Sequence, residues 1–303
     1  MLASAVESYV AVRRAAGFGF RSEARLLESF AAFSAARAEA YVRASLAIEW
    51  AGLTRSGPQR ARRLGHVIRL ARYLRAEDAR HEVPPPVFGA VKRARPAPYI
   101  LSPDQIRQLV SAAARSGYRT LRRDTYSTFF ALLASTGLRV SEAIRLRGDD
   151  LTLDGLVIRC SKFRKSRLVP LHESARAGLE RYLQRRLPYA PTEPHLFVSL
   201  RRKPLLLHDV EDAFRTAARA SGLPDQRGAR ATPHSLRHTF AVRALQRCPD
   251  GRDAITQHML ALSTYLGHAR VADTYWYLEA VPELMTDIAD RCEHFVRVRG
   301  GQP

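Results

Sequence analysis

The sequence is poor in cysteine and contains no long apolar run. Its three cysteines, Cys160, Cys248 and Cys292, stand far apart and include no Cys-x-x-Cys pair. That spacing argues against a disulfide framework and a cysteine-based zinc site, and it suits a reducing compartment, so we expect a cytoplasmic location. No stretch of about eighteen apolar residues occurs, so a transmembrane helix is not expected. The chain also begins without a basic segment ahead of an apolar block, so we expect no cleaved signal peptide.

Acidic residues are scarce relative to basic ones. The 303 residues include 49 Lys and Arg against 29 Asp and Glu, which gives a formal net charge of +20. Such an excess predicts a polyanionic partner, and nucleic acid is the usual one. Lysine itself is rare, a bias that GC-rich coding explains; its four positions are Lys92, Lys162, Lys165 and Lys203.

A nucleotide-phosphate loop is also missing. No Gly-x-x-x-x-Gly-Lys-Ser/Thr segment occurs, and the Lys165-Ser166 pair follows arginine rather than glycine. We therefore expect no ATP. No motif for another cofactor is found, so none is expected.

Residues 1–83 are predicted to form a helical domain. Apolar residues recur at three- and four-residue steps, as at Leu26, Leu27, Phe30 and Phe33, which is the helical period. The last helix opens near Pro58, a residue typical of a first helical turn. Its basic residues could form a solvated face, a phosphate-contacting face or a membrane-surface helix, and the whole-chain charge favours phosphate; they are Arg60, Arg62, Arg63, Arg69, Arg72 and Arg75.

Residues 84–100 are predicted to be a linker that separates the first domain from a second at 101–303. Five prolines disfavour regular structure here, and Lys92, Arg93 and Arg95 make the segment a cationic strap. Ser102 and Pro103 are typical of a new helix start.

The second domain is predicted to be mainly helical with a small β insertion, an α+β arrangement. Residues 156–158 and 167–171 read as the two strands of a hairpin whose polar tip is 161–166. Helical patterns are predicted at 173–187, 208–221, 233–246, about 256–266, 272–280 and 282–297.

Several short motifs in this domain carry chemistry, although each has an ordinary structural explanation. Arg139 stands three residues before Glu142, so on a helix the carboxylate could orient the guanidinium, or the two could be a plain surface ion pair. The acidic pair Asp149–Asp150 could hint at a metal nuclease, but a loop or capping role is favoured.

A second motif lies at a predicted helix start. Thr232 and Pro233 are typical of a helix N-terminus, which would place His234 and Arg237 where backbone N–H groups favour an anion. His234 and His238 also have the spacing of a zinc-binding helix. The sequence between them has no glutamate, and no further ligands are apparent, so no metal site is predicted.

A Gly-His pair at His268 is followed nine residues later by Tyr277, with Tyr275 close by. Taken in order, Arg-x-x-Glu, a hairpin lysine, His-x-x-Arg, Gly-His and Tyr resemble the tyrosine recombinase (phage integrase) family over residues 102–280. The sequence around Tyr277 resembles that of integrase-type transposases of mobile elements more than that of chromosome-dimer resolvases.

This resemblance implies a fold and a set of site residues. It implies a helical, SAM-like core-binding domain followed by an integrase-type catalytic domain. Tyr277 would be the nucleophile, with Tyr275 as a less well spaced alternative, and Glu142 would support the first arginine. The hairpin usually reads Gly-Lys-Gly but here is Ser-Lys-Phe, which leaves Lys165 open beside Lys162. The implied catalytic set is Arg139, Lys162, His234, Arg237, His268 and Tyr277.

The resemblance also implies a metal- and ATP-independent reaction. The tyrosine would form a 3′-phosphotyrosyl link and release a 5′-hydroxyl, while the arginines stabilise the phosphate charge and a lysine protonates the leaving group. The partner would be double-stranded DNA, bound by a homotetramer whose helix 282–297 docks on a neighbour. Accessory recombinases or DNA-bending proteins could assist. Further residues expected to contact DNA are Arg60, Arg63, Lys92, Arg93, Arg95, Arg164 and Lys165.

Two other functions remain open at this level. A type IB topoisomerase uses a similar set of residues but needs no synapsis of two DNA sites. A DNA-binding regulator could retain the fold without activity, although the complete residue set argues against it.

Overall fold

A computed structural model describes residues 2–89, 97–117, 120–159, 166–225, 230–247, 252–268 and 270–280. The chain divides into two compact units, Met1–Arg95 and Pro96–Pro303. The division falls within the segment predicted to be a linker, and residues 84–89 and 97–100 of that segment form no helix or strand. In the described residues no helix is both long and apolar enough to cross a membrane.

Within residues 2–89, the first unit contains four helices around one apolar core. The predicted spacing places Leu27 and Phe30 fully inside, and the ring of Phe30 meets Trp50 edge-on at 5.4 Å between centroids. Pro58 lies in the first turn of the last helix, as predicted. The helices are α1 (Leu2–Ala15), α2 (Arg21–Ala35), α3 (Ala44–Gly52) and α4 (Gly57–Arg75).

The second unit is mainly helical, which confirms the predicted fold class. Its first helix begins as predicted, because the Ser102 hydroxyl accepts a hydrogen bond from the Gln105 backbone N–H at 3.1 Å. The helices are α5 (Pro103–Arg115), α6 (Thr120–Thr136), α7 (Val140–Arg145), α8 (Glu173–Tyr189), α9 (Leu207–Ala220), α10 (Pro233–Gln246), α11 (Arg252–Leu266) and α12 (Ala272–Ala280).

A small antiparallel sheet interrupts these helices. The predicted hairpin forms from β2 (Gly155–Ile158) and β3 (Arg167–Val169), with Leu156 opposite Val169. A strand that the sequence pattern did not predict, β1 (Leu151–Thr152), adds to the free edge of β2. At two residues it is too short to show an alternating pattern. The hairpin tip, residues 160–165, lies outside the described residues, as does 281–303 with the predicted docking helix.

Helix α6 lies at the centre of the second unit. Its Phe129 and Phe130 are fully buried and meet Phe197 and Phe214 edge-on, at 5.0 and 5.3 Å between ring centroids. A smaller apolar cluster joins α10, α11 and α12 and includes Tyr277. These two cores hold the ends of α6, α10, α11 and α12 in place, and the candidate site is built at those ends.

Candidate active site

Arg237 lies in the first turns of α10, as the sequence predicts, but its side chain points into the protein rather than to solvent. Only 2% of its surface is exposed. Its Nη1 donates to the Gly137 carbonyl at 2.7 Å and its Nη2 to the Leu266 carbonyl at 2.8 Å. These oxygens follow α6 and end α11, so one guanidinium satisfies carbonyls at two helix C-termini. Burial, and then the nearby Arg139, lower the pKa of Arg237 to about 10, so it stays charged at neutral pH.

Glycine is required at the end of α6. Gly137 has φ +62°, and a Cβ at this position would lie 2.5 Å from Cδ1 of Phe240. A side chain here would therefore both strain the backbone and push against α10, which carries Arg237. The left-handed turn is what presents the Gly137 carbonyl to the arginine.

Arg139 precedes α7 rather than lying within it, which corrects the expectation that Arg139 and Glu142 share a helix face. Arg139 has an extended backbone at the N-cap position, and its backbone N–H donates to Glu142 Oε2 at 3.0 Å. Its Nη1 also donates to Glu142 Oε1 at 2.8 Å, and its Nη2 to the Gly267 carbonyl at 2.9 Å. The contact predicted from the spacing exists, but it forms by helix capping.

Glu142 is not the surface ion pair that a plain interpretation of the spacing would predict, because it is only 3% exposed. Arg167 on β3 supplies a second guanidinium, whose Nη1 and Nη2 donate to the two carboxylate oxygens at 3.1 and 2.8 Å. Burial raises the pKa of Glu142, but the hydrogen bonds and charges of Arg167 and Arg139 outweigh it and lower the pKa to about 2. The carboxylate is therefore ionised and holds both arginines.

The end of α11 gathers these side chains. The N–H groups of Gly267 and His268 donate back to the carbonyls of Thr264 and Ser263 at 2.9 and 3.0 Å, which is a Schellman turn with Gly267 at φ +65°. The turn leaves three successive carbonyls available, and each accepts from an arginine. The pairs are Tyr265 with Arg167 at 2.8 Å, Leu266 with Arg237 at 2.8 Å and Gly267 with Arg139 at 2.9 Å.

Two predicted histidines lie beside these arginines. His234 lies in the first turn of α10, and desolvation, followed by the charges of Arg237 and Arg139, holds its pKa below the usual range. His268, directly after the Schellman turn, shares a hydrogen bond of 2.7 Å between its Nδ1 and the Thr274 hydroxyl. Burial, and then the same two arginines, lower its pKa to about 4. Both imidazoles are therefore neutral at neutral pH and can each donate one N–H.

Tyr277 on α12 faces this group, whereas Tyr275 does not. Tyr277 is 3% exposed, its ring lies parallel to that of His268 with 6.4 Å between centroids, and its hydroxyl lies 3.0 Å from Nδ1 of His238. Tyr275, the alternative nucleophile, is 49% exposed. The structure thus brings together Arg139, Glu142, His234, Arg237, His268 and Tyr277.

The other predicted site residues lie either in the first unit or outside the described residues. Arg60 and Arg63 lie on α4 in the first unit, where Arg60 Nε donates to the Thr54 carbonyl at 2.7 Å and the Arg63 guanidinium lies 3.9 Å from the Trp50 ring centroid. Six others lie outside the described residues: Lys92, Arg93, Arg95, Lys162, Arg164 and Lys165.

Sequence reasoning did not single out two residues that the structure places in the site. Arg167 is the first residue of the predicted strand. It stands two residues before Val169, and residues two apart on a strand lie on the same face, so this spacing was the available signal that both face inward. His238 stands one helical turn after His234 and was considered only as a metal ligand. The ring centroids of His234 and His238 are 4.4 Å apart. Among the described residues, no group of three or more His, Cys, Asp or Glu side chains is arranged to hold a metal ion.

Within the Asp149–Asp150 pair, Asp150 has the capping role that was favoured. The Arg147 backbone N–H donates to Asp150 Oδ2 at 2.9 Å, and Asp150 Oδ1 accepts from Arg159 Nε at 2.5 Å. These contacts stabilise the turn that leads into the small sheet.

Known proteins resemble this chain in sequence and in fold. Residues 100–283 match the phage integrase family. The protein named "Putative integrase/recombinase y4rB" from Sinorhizobium fredii is 39% identical over 303 residues, covering 95% of this chain and 96% of its own. Tyrosine recombinase XerD from Caulobacter vibrioides is 32% identical over 247 residues, covering 79% of this chain and 76% of its own. A lambda integrase tetramer bound to a Holliday junction has a similar fold, with a TM-score of 0.63 and 17% identity over 90% of this chain and 76% of that one.

The chain therefore belongs to the phage integrase family, which confirms the resemblance drawn from its motifs. It is an enzyme of the tyrosine recombinase type, a site-specific DNA recombinase.

Proposed function

We propose that this recombinase cuts and rejoins DNA through Tyr277. The phenolic oxygen attacks the scissile phosphorus, a 3′-phosphotyrosyl bond forms, and the bond to the 5′-oxygen breaks. The observation that carries this proposal is the convergence of Tyr277 with two guanidiniums, those of Arg139 and Arg237, whose orientations are set by backbone carbonyls and Glu142. The bond energy is kept in the tyrosyl ester, so religation needs no ATP.

The two arginines are suited to stabilise the transition state. As the phosphorus becomes pentacoordinate, charge grows on its non-bridging oxygens, and Arg139 and Arg237 are charged before the reaction starts. Because their contacts fix them in place, little reorganisation is needed as that charge develops. His234 and His268 add N–H donors, and a bound phosphodiester would raise their pKa values by its negative charge.

The leaving 5′-oxygen needs a proton, and the hairpin lysine is the proposed donor. Arginine is a poor acid because its pKa exceeds about 12, whereas a lysine in a suitable environment can release its proton. Lys162 fits the family position, and Lys165 is the alternative. β3, which follows the hairpin tip in the sequence, carries Arg167 into the site, and this supports a lysine of the tip as the donor.

DNA is proposed to be held by both domains, with the predicted linker along the backbone. The net charge of +20 supports many phosphate contacts, and Lys92, Arg93, Arg95, Arg164 and Lys165 remain candidates. The reaction is proposed to occur in the cytoplasm, in a homotetramer on two synapsed sites, for integration, excision or transposition of a mobile element. The tetramer is supported by the related lambda integrase assembly on a Holliday junction, and accessory recombinases or DNA-bending proteins could take part.

A nicked suicide duplex tests the nucleophile. When the cut releases a short strand that diffuses away, the covalent adduct accumulates and can be seen as a shifted band after denaturing electrophoresis. We expect Tyr277→Phe to form no adduct because it lacks the attacking oxygen. Tyr275→Phe, the matched control two residues away on the same helix, should form adduct at the rate of the unaltered chain.

Chelator treatment should leave the adduct yield unchanged. Adduct formation by Tyr277→Phe, or loss of adduct on chelation, would overturn the proposed mechanism.

A further inference from the structure

The tyrosine hydroxyl is held by a histidine outside the set that the motifs predicted. Nδ1 of His238 lies 3.0 Å from the hydroxyl of Tyr277, which is hydrogen-bond distance. His238 sits on α10 directly after Arg237, and the rings of Trp276 and Tyr277 pack against it at 5.5 Å between centroids. The imidazole is therefore positioned by the rings of Trp276 and Tyr277, with one nitrogen directed at the reacting oxygen.

His234 and His268 contact their neighbours differently. His268 directs its Nδ1 at the Thr274 hydroxyl, and its ring stacks on the face of Tyr277. His234 packs edge-on against His238. Of these three histidines, His238 is the one whose ring nitrogen lies at hydrogen-bond distance from the Tyr277 oxygen.

The groups around His238 keep it in the form that can accept a proton. It is faced by His234 and Arg237 from α10, by His268 from the turn after α11 and by Tyr277 from α12. Burial, and then His234, Arg237 and His268, lower the pKa of His238 to about 3. A neutral imidazole whose proton is on Nε2 has a lone pair on Nδ1, so the phenol donates and His238 accepts.

Building on the proposed function, we propose that His238 is the proton acceptor for Tyr277 during DNA cleavage. As the phenolic oxygen bonds to phosphorus, its O–H bond breaks and the proton passes to Nδ1 of His238. The bond from phosphorus to the 5′-oxygen breaks in the same displacement, and that oxygen takes its proton from the separate acid. In religation the imidazolium returns the proton to the departing tyrosine oxygen, so His238 ends as it began.

This arrangement makes the proton affinity of His238 depend on whether DNA is bound. Without DNA, the positive neighbours disfavour a second proton on His238. A phosphodiester bound between Arg139 and Arg237 brings a negative charge close by, which raises the proton affinity of the imidazole. The tyrosine is then activated when a phosphate is present to be attacked.

The test is single-turnover cleavage of the suicide duplex by His238→Asn. Asparagine can accept a hydrogen bond near the Nδ1 position but cannot take a proton at these pH values. We expect cleavage at neutral pH to slow by roughly 100-fold or more, within the range for loss of a general base, while DNA affinity is unchanged. The rate of the variant should rise about tenfold per pH unit as solvent base replaces the imidazole, whereas the unaltered chain shows a much flatter profile.

A fluorinated tyrosine at position 277 gives a second readout, because its phenol loses a proton more readily. It should accelerate His238→Asn strongly and the unaltered chain only weakly. His258→Gln is the matched control, since His258 lies on α11 and its Nε2 contacts the Ala244 carbonyl at 2.8 Å. This variant should keep the flat pH profile.

Native rates and a native pH profile in His238→Asn would overturn the assignment. If that variant does not fold, His238→Gln takes its place, and a strong acceleration of the unaltered chain by fluorotyrosine would also count against it. Adduct formation by Tyr277→Phe would instead contradict the proposed function, so the two failures are distinguishable.

Discussion

Glu142 shows how a single buried carboxylate links the site to protein stability. Its pKa is lowered from 4.5 to about 2, so it binds a proton more readily in the unfolded chain than in the folded one. The stabilisation, of order 3 kcal/mol, is therefore fully present above about pH 4.5 and is lost as the pH falls through about 2.

Glu142→Gln should accordingly lower the free energy of unfolding at neutral pH by roughly 3 kcal/mol, because it leaves two partly buried guanidiniums without their counter-ion. The difference from the unaltered chain should shrink between pH 4.5 and 2, as measured by denaturant unfolding at each pH. Glu49→Gln is the control, since Glu49 pairs with Arg37 at the surface and should change stability by less than about 1 kcal/mol. A pH-independent difference for Glu142→Gln would contradict this account.

Lys162 can be tested as the acid at the same scale. Lys162→Arg keeps the positive charge, so DNA binding should be retained, but cleavage of a normal 5′-oxygen substrate should slow by about 100-fold or more because arginine does not release its proton. In a 5′-bridging phosphorothioate substrate the leaving group needs no proton. Lys162→Arg should therefore cleave this substrate at close to the rate of the unaltered chain in rapid-quench assays. Lys165→Arg is the matched variant from the same hairpin tip.

If both substrates were slowed equally by Lys162→Arg, the acid role of Lys162 would be wrong. If Lys165→Arg instead showed the substrate-dependent defect, the role would belong to Lys165.

The sequence was sufficient to predict which residues form the site. It was not sufficient to predict the groups that orient their side chains. Arg139, Arg237 and Tyr277 are distinctive because their order and spacing match a family pattern. What orients them is mostly backbone: the carbonyls of Gly137, Leu266 and Gly267 accept from the two arginines. Backbone groups are the same at every position, so no residue pattern reveals which carbonyls will be left unpaired at a helix end.

At the scale of elements, strongly periodic segments were predictable and short ones were not. The β2–β3 hairpin, the α5 start and the α10 start have turn or capping residues that mark them. β1 and the extra first turn of α11 have no comparable signal, and α8 continues through Pro188 to Tyr189 beyond its predicted end. The same limit applies to Arg139, whose extended backbone is decided by the capping contact with Glu142.

The Schellman turn after α11 gives a test at this scale. A Cβ at Gly267 would lie 2.9 Å from Arg167 Nη1 and 3.5 Å from Arg139 Nη1, and φ is +65°. Because Glu142 and the Tyr265 carbonyl hold Arg167, that side chain cannot simply swing away. We expect Gly267→Ala to lose about 1–2 kcal/mol of stability from the left-handed backbone and to slow suicide-duplex cleavage by roughly 10- to 100-fold from the displaced guanidiniums.

Gly222 provides an unusually close control. It ends α9 in the same kind of turn, with φ +66°, but no atom of the described residues lies within 4 Å of a Cβ placed there. Gly222→Ala should therefore lose similar stability without slowing cleavage. Equal cleavage rates for the two variants at matched folded fractions would show that the turn does not position the arginines.

At the scale of the whole molecule, charge and assembly govern how DNA is engaged. A net charge of +20 means that binding releases many counterions, so affinity should fall steeply with salt, with a log–log slope of about −0.9 per phosphate contact. This attraction acts on any DNA and does not pair two sites. Pairing needs contacts between protein copies, and the chain offers a candidate for them in the apolar stripe predicted at 282–297.

Deletion of 282–303 should therefore impair synapsis more than binding to one site. The predicted helix carries Leu284, Met285, Ile288 and Phe295 at helical spacing, and docking on a neighbouring copy would bury their apolar surface. In gel-shift and mass-photometry measurements the deleted chain should keep its single-site affinity within a few-fold while the tetramer on two sites is lost. Deletion of 298–303 alone, which leaves the predicted helix whole, should assemble normally. If tetramers of the 282–303 deletion formed as readily as those of the full chain, the stripe would instead pack within its own copy, and the contacts that pair the two sites would have to come from another surface.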